Sequence, residues 1–221
     1  MKKIISGVDE VGRGSLIGPV FAAAVIFKKN IDRNKIKASK KLSKEKRDNL
    51  EKYIKKNSIW SIGSASLKEI EKLNILNASL LAMKRSIKKL KPKPSITLID
   101  GNKLPNMSGY KLKCVIKGDQ KISEISAASI IAKVARDRLI TKMSKKFKKY
   151  AWDKNSGYGT KQHLKAIKKF GITKHHRKTF SPIHNMLSPS QILQQVESIF
   201  FNLWLTWNPC WSLITFFKNG N

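Results

Sequence analysis

Acidic residues are scarce in this chain, which has 14 Asp+Glu against 46 Lys+Arg and a formal net charge of +32. Such an excess of cations indicates a polyanionic partner, above all nucleic acid, because Lys and Arg gain affinity by releasing phosphate counterions. The alternative is a lysine-rich surface that binds nothing in particular. The charge therefore predicts the class of partner and leaves the reaction open.

Cysteine is also rare, and long apolar runs are absent. Cys114 and Cys210 lie far apart without metal-type spacing, which predicts reduced thiols in a cytoplasmic protein and argues against a disulfide framework. The chain opens directly on a predicted strand, so we expect no signal or transit peptide. We find no internal repeats.

The length of 221 residues and a hydrophobic content of 41% are enough for one domain with a real core and a small second unit. The first twenty residues organise the rest. An apolar β-branched run leads to Asp9 and Glu10, and Gly12, Gly14 and Gly18 follow closely, with Arg13 among them. This order predicts a strand that ends in acid and breaks into a phosphate-sized loop. A polar stop before a turn is the plainer interpretation.

Adjacent carboxylates on an apolar strand are costly unless a cation neutralises them. Hard ions such as Mg²⁺ take oxygen ligands and are commonly shared between one or two carboxylates and substrate phosphates. The glycines expose backbone N–H groups, and Arg13 offers a planar fork for phosphate.

Hydrophobic periodicity and turn signals predict an alternation of strands and helices. We predict strands over residues 19–27, 58–66, 95–100 and 112–116. Helices are predicted over residues 43–56, 68–90, 123–150 and 160–170, with a basic loop at 28–41 and a glycine-containing loop at 156–160.

Four acids lie at or just past predicted strand ends: Asp9, Glu10, Asp100 and Asp119. Several strands of one sheet can deliver their ends to one edge, which assembles a carboxylate cluster from distant parts of the chain. In a strongly basic protein, such a cluster suits two-metal phosphodiester chemistry. Successive strand residues point to opposite faces, so Asp9 and Glu10 can share a site only if the strand ends or is distorted at Glu10.

A series of motifs resembles the bacterial ribonuclease HII family, the type 2 ribonucleases H. The motifs occur in family order within residues 3–187. They are GVDEVGRGSLIGPV (7–20), SKKLS (39–43), IDGN (99–102), KGD (117–119), ISAASIIAKVARD (125–137), SGYGT (156–160) and HRKTFSPI (176–183).

The resemblance implies an α/β ribonuclease H-like fold, with a mixed central sheet flanked by helices and a helical C-terminal part. It also implies hydrolysis of RNA in RNA/DNA hybrids and incision of duplex DNA 5′ to a single embedded ribonucleotide, with 3′-hydroxyl and 5′-phosphate ends. Such activity belongs to ribonucleotide excision in DNA replication and repair.

By the family pattern, Asp9, Glu10, Asp100 and Asp119 hold Mg²⁺ or Mn²⁺ and are the catalytic residues. Gly12, Arg13 and Gly14 would sense the ribose 2′-hydroxyl, and Tyr158 would pack on the neighbouring sugar. The other nucleic-acid-binding positions are Ser39 and Lys40. We expect no small-molecule cofactor, no membrane partner and no need for a dimer.

Two features depart from the family pattern. Ala38 stands where the family usually has an acid before Ser39, which puts in doubt the ordering of that loop. The segment 188–221 matches nothing in the family and has one basic residue and seven Trp and Phe. It is interpreted as a packed helix, an artefact of a truncated end, an interfacial or hairpin segment, or a docking peptide. Asn202, Asn208 and Pro209 interrupt any membrane span there.

Other candidates have plainer interpretations. Asp137 is expected to pair with Lys133 at i,i+4 spacing rather than act as a fifth acid. Lys40, Lys133 and Arg136 are expected on solvated faces. The side chains of His175 and His176 are expected at the surface or on nucleic acid. Ser15 and Ser39 lack a histidine to activate them as nucleophiles.

The rival hypothesis is a non-catalytic protein that binds hybrids. The presence of all four acids favours the enzyme.

Overall fold

The frame of the molecule is a five-stranded mixed sheet in the order β3-β2-β1-β4-β5. The computed structural model describes residues 3–29, 31–37 and 43–186. Strand β1 pairs antiparallel with β2 and parallel with β4, and β4 pairs parallel with β5. The strands are β1 (Ile5–Val11), β2 (Val20–Phe27), β3 (Ser58–Ala65), β4 (Ile96–Asp100) and β5 (Leu112–Val115).

Helices connect and cover these strands, as the α/β prediction requires. The helices are α1 (Arg33–Lys37), α2 (Lys44–Lys56), α3 (Leu67–Lys89), α4 (Gly118–Lys121), α5 (Ser123–Ser144), α6 (Trp152–Asn155) and α7 (Lys161–Phe170). Two 3₁₀ turns follow α5 and α7, at Lys148–Tyr150 and His184–Met186.

Strand β2 is buried along most of its length and pairs with β1 on one side and β3 on the other. Its apolar sequence, which predicted a buried strand after the glycine loop, is therefore confirmed. The core beside it is built mainly from small and β-branched side chains of β2 and α5, joined by Ile36 and Ile54.

Helix α5 lies directly on the sheet because its inward residues are small. Ala127, Ala128 and Ala132 are fully buried, as the sequence predicted. The approach is so close that a Cβ atom on Gly7 of β1 would lie 2.2 Å from the backbone carbon of Glu124. Only glycine fits at that crossing.

Helix caps and helix ends agree with the sequence in part. Ser43 caps α2 and Thr160 caps α7, both as expected. The helix predicted over residues 123–150 ends early, at Ser144. Backbone bonds from Lys146 and Phe147 close its last turn with 3₁₀ spacing, and Phe147 packs its ring 5.1 Å from Trp152.

Two further predictions need correction, and one predicted helix has an added feature. The basic loop over residues 28–41 contains the short helix α1. Helix α3 lies close to the predicted bounds 68–90 and carries a kink at Asn74, whose φ is 64°. The fourth acid, Asp119, does not end a strand: β5 stops at Val115 and Asp119 lies in the first turn of α4. A left-handed Lys117 lies between them and redirects the backbone.

The chain divides into two compact units, Met1–Arg177 and Lys178–Asn221. The second unit is described only as far as residue 186, where Ile183 is buried and His184 N donates to Phe180 O at 2.9 Å. The four interpretations of segment 188–221 therefore concern residues outside the described range. No helix among the residues described is long and apolar enough to cross a membrane.

Candidate active site

A fork between β1 and β4 brings the first three acids together. The two strands pair in parallel from Ile5 to Val8 of β1, and Val8 lies opposite Ile99. Beyond that point β1 pairs only with β2, with Asp9 opposite Ala23. Strand β4 pairs there only with β5, with Asp100 opposite Val115. The carboxyl ends of the parallel strands thus open a crevice at one edge of the sheet, where ligands bind in α/β folds.

Asp9 is the most deeply buried of these carboxylates and is 6% exposed. Its Oδ1 accepts a 2.7 Å hydrogen bond from the backbone N of Glu10, and the Ser129 hydroxyl of α5 also donates to it. Burial, followed by repulsion from Glu10 and then Asp100, raises the pKa of Asp9 well above its ordinary value in spite of these bonds. The site therefore holds negative charge that its own hydrogen bonds do not compensate.

Glu10 shares this environment while remaining closer to solvent. Burial, helped by the charge of Asp100, raises its pKa, although Arg13 works in the opposite direction. The Arg13 guanidinium lies 3.2 Å from Glu10 Oε1 and is about half exposed. Asp9 and Glu10 were expected to share a site only if β1 ends or is distorted at Glu10. The strand pairs regularly with β2 and ends one residue later, at Val11. Glu10 interacts with Asp100 because β4 no longer pairs alongside β1 there.

Asp100 and Asp119 are linked through a helix start. The backbone N of Gly118 donates to Asp100 Oδ1 at 2.6 Å, and a Cβ atom on Gly118 would lie 3.3 Å from that oxygen. Asp119 is the next residue, in the first turn of α4. The structure thus joins Asp9, Glu10 and Asp100 electrostatically and places Asp119 on the segment that holds Asp100.

The donor set suits a hard divalent cation, since it consists of carboxylate oxygens with uncompensated charge. Within residues 3–29, 31–37 and 43–186, no group of three or more His, Cys, Asp or Glu side chains is arranged so that it could hold a metal ion by itself. Mg²⁺ does not require one, because it usually keeps several waters and binds one or two carboxylates together with substrate phosphates. The residues present therefore fit such an ion.

The loop that follows β1 lies on a buried arginine. Gly12 has a φ of +92°, and a Cβ atom there would lie 2.2 Å from Arg136 Nε. Arg136, on α5, is fully buried and its two terminal nitrogens donate to Ser15 Oγ and to the carbonyls of Ile17 and Ser156. Since Arg136 was expected on a solvated face, that prediction is wrong. Its charge is used inside the protein, beneath the loop.

The later part of this loop, residues 15–18, is hydrogen-bonded to two other short segments, residues 156–158 and 175–177. We call these three segments the loop clamp. The middle segment, 15–18, bonds to both others. Leu16 N donates to Gly157 O at 2.8 Å, and Gly18 N donates to His175 O at 2.9 Å. Isolated β-bridges join Ser15 to Tyr158 and Ile17 to His176.

A second buried arginine strengthens the clamp from the other side. Arg177 donates from Nε to Gly18 O at 3.0 Å and from Nη1 to Arg13 O at 2.9 Å. Burial and the charge of Arg136 lower the pKa of Arg177 to about 9. Two neighbouring guanidinium groups under one loop thus bind its carbonyls.

Tyr158 stands at the edge of the clamp beside the loop. Its ring is 37% exposed. Its Cε1 would lie 3.8 Å from a Cβ atom on Gly14, and the Arg136 guanidinium carbon lies 5.8 Å from the ring centroid. An exposed aromatic face beside a glycine loop is available to stack on a sugar or a base.

The remaining predicted positions fall into two groups. Ser39 and Lys40, with Ala38, lie outside the described residues, so their roles stay predictions. Asp137 pairs with Lys133 at 3.4 Å and with Arg47 at 3.5 Å, which supports the structural interpretation of this acid.

The sequence analysis missed the buried polar residues that shape the clamp. His176 was expected at the surface or on nucleic acid, but it is 1% exposed. Arg177 and His163 were not considered. The available signal was the occurrence of histidine and arginine within the motifs SGYGTKQH and HRK, which polar loops alone do not require.

The fold and the site define an α/β protein of the ribonuclease H-like class. The sequence profile of the family Ribonuclease HII matches residues 6–183. A Ribonuclease HII of Pelagibacter ubique (strain HTCC1062) is 73% identical over 185 residues, which are 84% of this chain and 100% of the relative.

Solved structures have a similar fold. The ribonuclease H2 of Pyrococcus horikoshii OT3 superposes with a TM-score of 0.70 at 26% identity, covering 83% of this chain and 96% of that one. Bst-RNase HIII, solved in complex with Mn²⁺, has a TM-score of 0.60 at 16% identity, covering 82% and 68% of the two chains.

The chain belongs to the ribonuclease HII family and is a ribonuclease H, an endoribonuclease. The rival hypothesis of a protein that only binds hybrids is therefore not supported.

Proposed function

We propose that this ribonuclease H hydrolyses the RNA strand of RNA/DNA hybrids and incises duplex DNA 5′ to single embedded ribonucleotides, leaving 3′-hydroxyl and 5′-phosphate ends. The observation that carries the proposal is the juxtaposition of two features. The carboxylates of Asp9, Glu10 and Asp100 lie at the β1/β4 fork, and buried arginines donate hydrogen bonds to the loop that continues β1. A phosphate bound at the fork would have its sugar at that loop.

Asp9, Glu10, Asp100 and Asp119 would hold the divalent ions, with Mg²⁺ or Mn²⁺ as the candidates. When bound, two such ions stabilise the attacking and leaving oxygens of a phosphodiester displacement. In this proposal Asp9 and Asp100 clamp the ions, and Glu10 and Asp119 complete the shell and position the attacking water. The raised pKa values of Asp9 and Glu10 support it, because burial and then the repulsion between carboxylates raise them, and a nearby cation would stabilise the charged forms.

The loop at Gly12, Arg13 and Gly14 and the ring of Tyr158 would select the ribonucleotide. A 2′-hydroxyl is what distinguishes RNA from DNA at one position. Gly14 carries no side chain between its backbone and the Tyr158 ring, and Arg13 is exposed beside Glu10. A sugar seated between this backbone and the ring would present its 2′-hydroxyl to the loop, while Arg13 faces the adjoining phosphate.

The net charge of +32 supports a duplex partner bound through its phosphates. Ser39 and Lys40 would contribute to that binding. We further propose that the protein acts as a cytoplasmic monomer without a small-molecule cofactor or membrane partner. Residues 1–187 would form the catalytic domain, and 188–221 a separate tail of unknown role. Cleavage by a variant that ends at residue 187 should equal that of the full chain, whereas a loss would contradict this division.

The experiment compares three duplexes that differ only in sugar: all-DNA, DNA with one ribonucleotide, and an RNA/DNA hybrid. With Mg²⁺ or Mn²⁺ we expect a nick 5′ to the single ribonucleotide, cuts along the RNA strand of the hybrid, and no cut in the all-DNA duplex. End-labelling should show 3′-hydroxyl and 5′-phosphate termini, and EDTA should abolish cleavage. Cleavage of the hybrid alone would refute the single-ribonucleotide part of the proposal. Cleavage that persists in EDTA would refute the metal site.

A further inference from the structure

Two histidines are buried together beneath the loop clamp. His163 of α7 is fully buried and His176 is 1% exposed. Their ring centroids are 5.4 Å apart, and the rings of Tyr150 and Trp152 pack around them. None of the roles proposed for the carboxylates and the glycine loop uses this pair.

The hydrogen bonds determine the protonation of His163. The indole Nε1–H of Trp152, which can only donate, points to His163 Nε2 at 2.9 Å. Nε2 must therefore accept, so in the neutral ring the proton is on Nδ1. That nitrogen lies 2.9 Å from the carbonyl oxygen of Tyr158, to which it donates.

The protonation of His176 follows by the same reasoning. The backbone N–H of Thr173 donates to His176 Nδ1 at 2.8 Å, so this nitrogen accepts and the ring proton is on Nε2. His176 Nε2 lies 3.3 Å from His163 Nε2, so its N–H shares the single lone pair of that nitrogen with the shorter bond from Trp152. A second proton on either ring would oppose these donors. In agreement, burial lowers the pKa of both histidines, that of His176 to about 4.

The hydrogen bonds that join Trp152, His163 and His176 connect two segments of the loop clamp, residues 156–158 and 175–177. His163 holds the backbone of Tyr158, which is bridged to Ser15, and the backbone of His176 is bridged to Ile17. The same unit therefore braces the loop between these bridges and the aromatic ring that stands beside it.

We propose that His163, oriented by Trp152 and His176, is a positioning residue that fixes Tyr158 against the Gly12 to Gly14 loop and thereby sets recognition of the ribonucleotide. This inference rests on the role proposed above for Tyr158. His163 acts through the Tyr158 carbonyl and does not touch the reacting atoms.

Two substitutions by amide side chains test the roles of the two ring nitrogens of His163 separately. The amide nitrogen of Asn occupies the place of Nδ1, so His163→Asn keeps the donor to Tyr158 O. The amide of Gln reaches the place of Nε2, so His163→Gln keeps a partner for Trp152 and loses that donor. On the duplex with one ribonucleotide, we expect kcat/KM of His163→Gln to fall about tenfold or more, and that of His163→Asn to fall clearly less, because Asn keeps the donor to Tyr158 O although it loses the acceptor for Trp152.

A double-mutant cycle with Tyr158→Ala tests the route of the effect. If His163 acts through Tyr158, the loss caused by His163→Gln disappears in the Tyr158→Ala background. Equal losses for His163→Asn and His163→Gln, or losses that multiply with Tyr158→Ala, would overturn the proposal. Tyr158→Ala cleaving as fast as wild type would overturn both the role of Tyr158 and the positioning by His163, while metal-dependent cleavage itself would stand.

The wild-type protein provides a readout that does not depend on variants folding. The ¹⁵N shifts of the imidazole nitrogens report tautomers directly. We expect a neutral Nδ1–H ring for His163 and a neutral Nε2–H ring for His176 at neutral pH. An Nε2–H tautomer or a charged ring at His163 would overturn the proposal.

Discussion

Because the carboxylate of Asp9 is buried, we predict that removing its charge raises the stability of the protein and lowers its activity. In Asp9→Asn the amide keeps an acceptor for Glu10 N and a donor for the Ser129 hydroxyl, while the repulsion from Glu10 and Asp100 disappears. Each unit of raised pKa corresponds to about 1.4 kcal/mol of lost stability above that pKa. An uncompensated buried group costs about 1–3 kcal/mol, and we expect a gain of this order in the variant.

The pH dependence has a defined sign. Because the folded protein holds the Asp9 proton more tightly than the unfolded chain does, wild-type stability falls as pH rises from the ordinary value of 3.8 through the raised one. The stability difference between Asp9→Asn and wild type should be absent below that window and complete above it.

The assay is thermal unfolding in EDTA over a series of pH values, with Asp153→Asn as a control on the exposed surface of α6. In a chain of this size, about 2–4 °C of Tm is expected for each kcal/mol gained. The control should stay within about 0.5 kcal/mol of wild type. Added Mg²⁺ should stabilise the wild type and reduce the difference in Tm between it and Asp9→Asn. An Asp9→Asn variant that is less stable than wild type at neutral pH in EDTA would refute the reasoning.

Three further predictions follow from close contacts and caps. Gly7→Ala places a methyl group against the backbone of Glu124 and should lower the free energy of unfolding by about 1–3 kcal/mol or more, measured by denaturant titration. In Gly12→Ala a methyl group meets a buried guanidinium at a positive φ. The loss in kcat/KM, expressed as free energy, should far exceed the loss in free energy of unfolding, and equal losses would contradict the loop's role. Glu69 pairs with Arg85 and caps α3 with Ser66, and these bonds, that of Arg85 first, lower its pKa to about 2. Its stabilisation is present above the ordinary value of 4.5 and lost as pH falls toward 2. Because this carboxylate is partly exposed, Glu69→Gln should cost no more than about 1 kcal/mol at neutral pH and nothing at low pH.

The sequence predicted the elements whose signal is local. Alternation and apolar runs marked the strands, and side-chain caps at Ser43 and Thr160 marked helix starts, all of which the structure confirms. The end of α5 was wrong because its position depends on how Phe147 packs on Trp152, which is a contact between side chains and not a periodicity.

The four acids could be proposed as site residues because carboxylates after apolar strands are conspicuous in a basic chain. Their geometry was harder to predict. The meeting of Asp9, Glu10 and Asp100 depends on where β4 stops pairing with β1, and no local pattern encodes that register.

The buried arginines and histidines were missed for a related reason. Polar residues are mostly exposed, so a sequence pattern assigns them to the surface. The burial of Arg136 and His176 depends on partners from other segments, the carbonyl of Ile17 and a ring nitrogen of His163. Only the assembled clamp shows that these partners exist.

The most direct test of the central claim is single-turnover cleavage of a duplex with one ribonucleotide, in Mg²⁺ and in EDTA, by wild type and by Asp100→Asn. Asn keeps an acceptor for Gly118 N, so the start of α4 should persist while one negative charge is lost. We predict a metal-dependent nick by the wild type and a loss of at least a hundredfold in the variant, without loss of stability or duplex binding. Undiminished cleavage by Asp100→Asn would contradict the assignment of the β1/β4 fork as the catalytic centre.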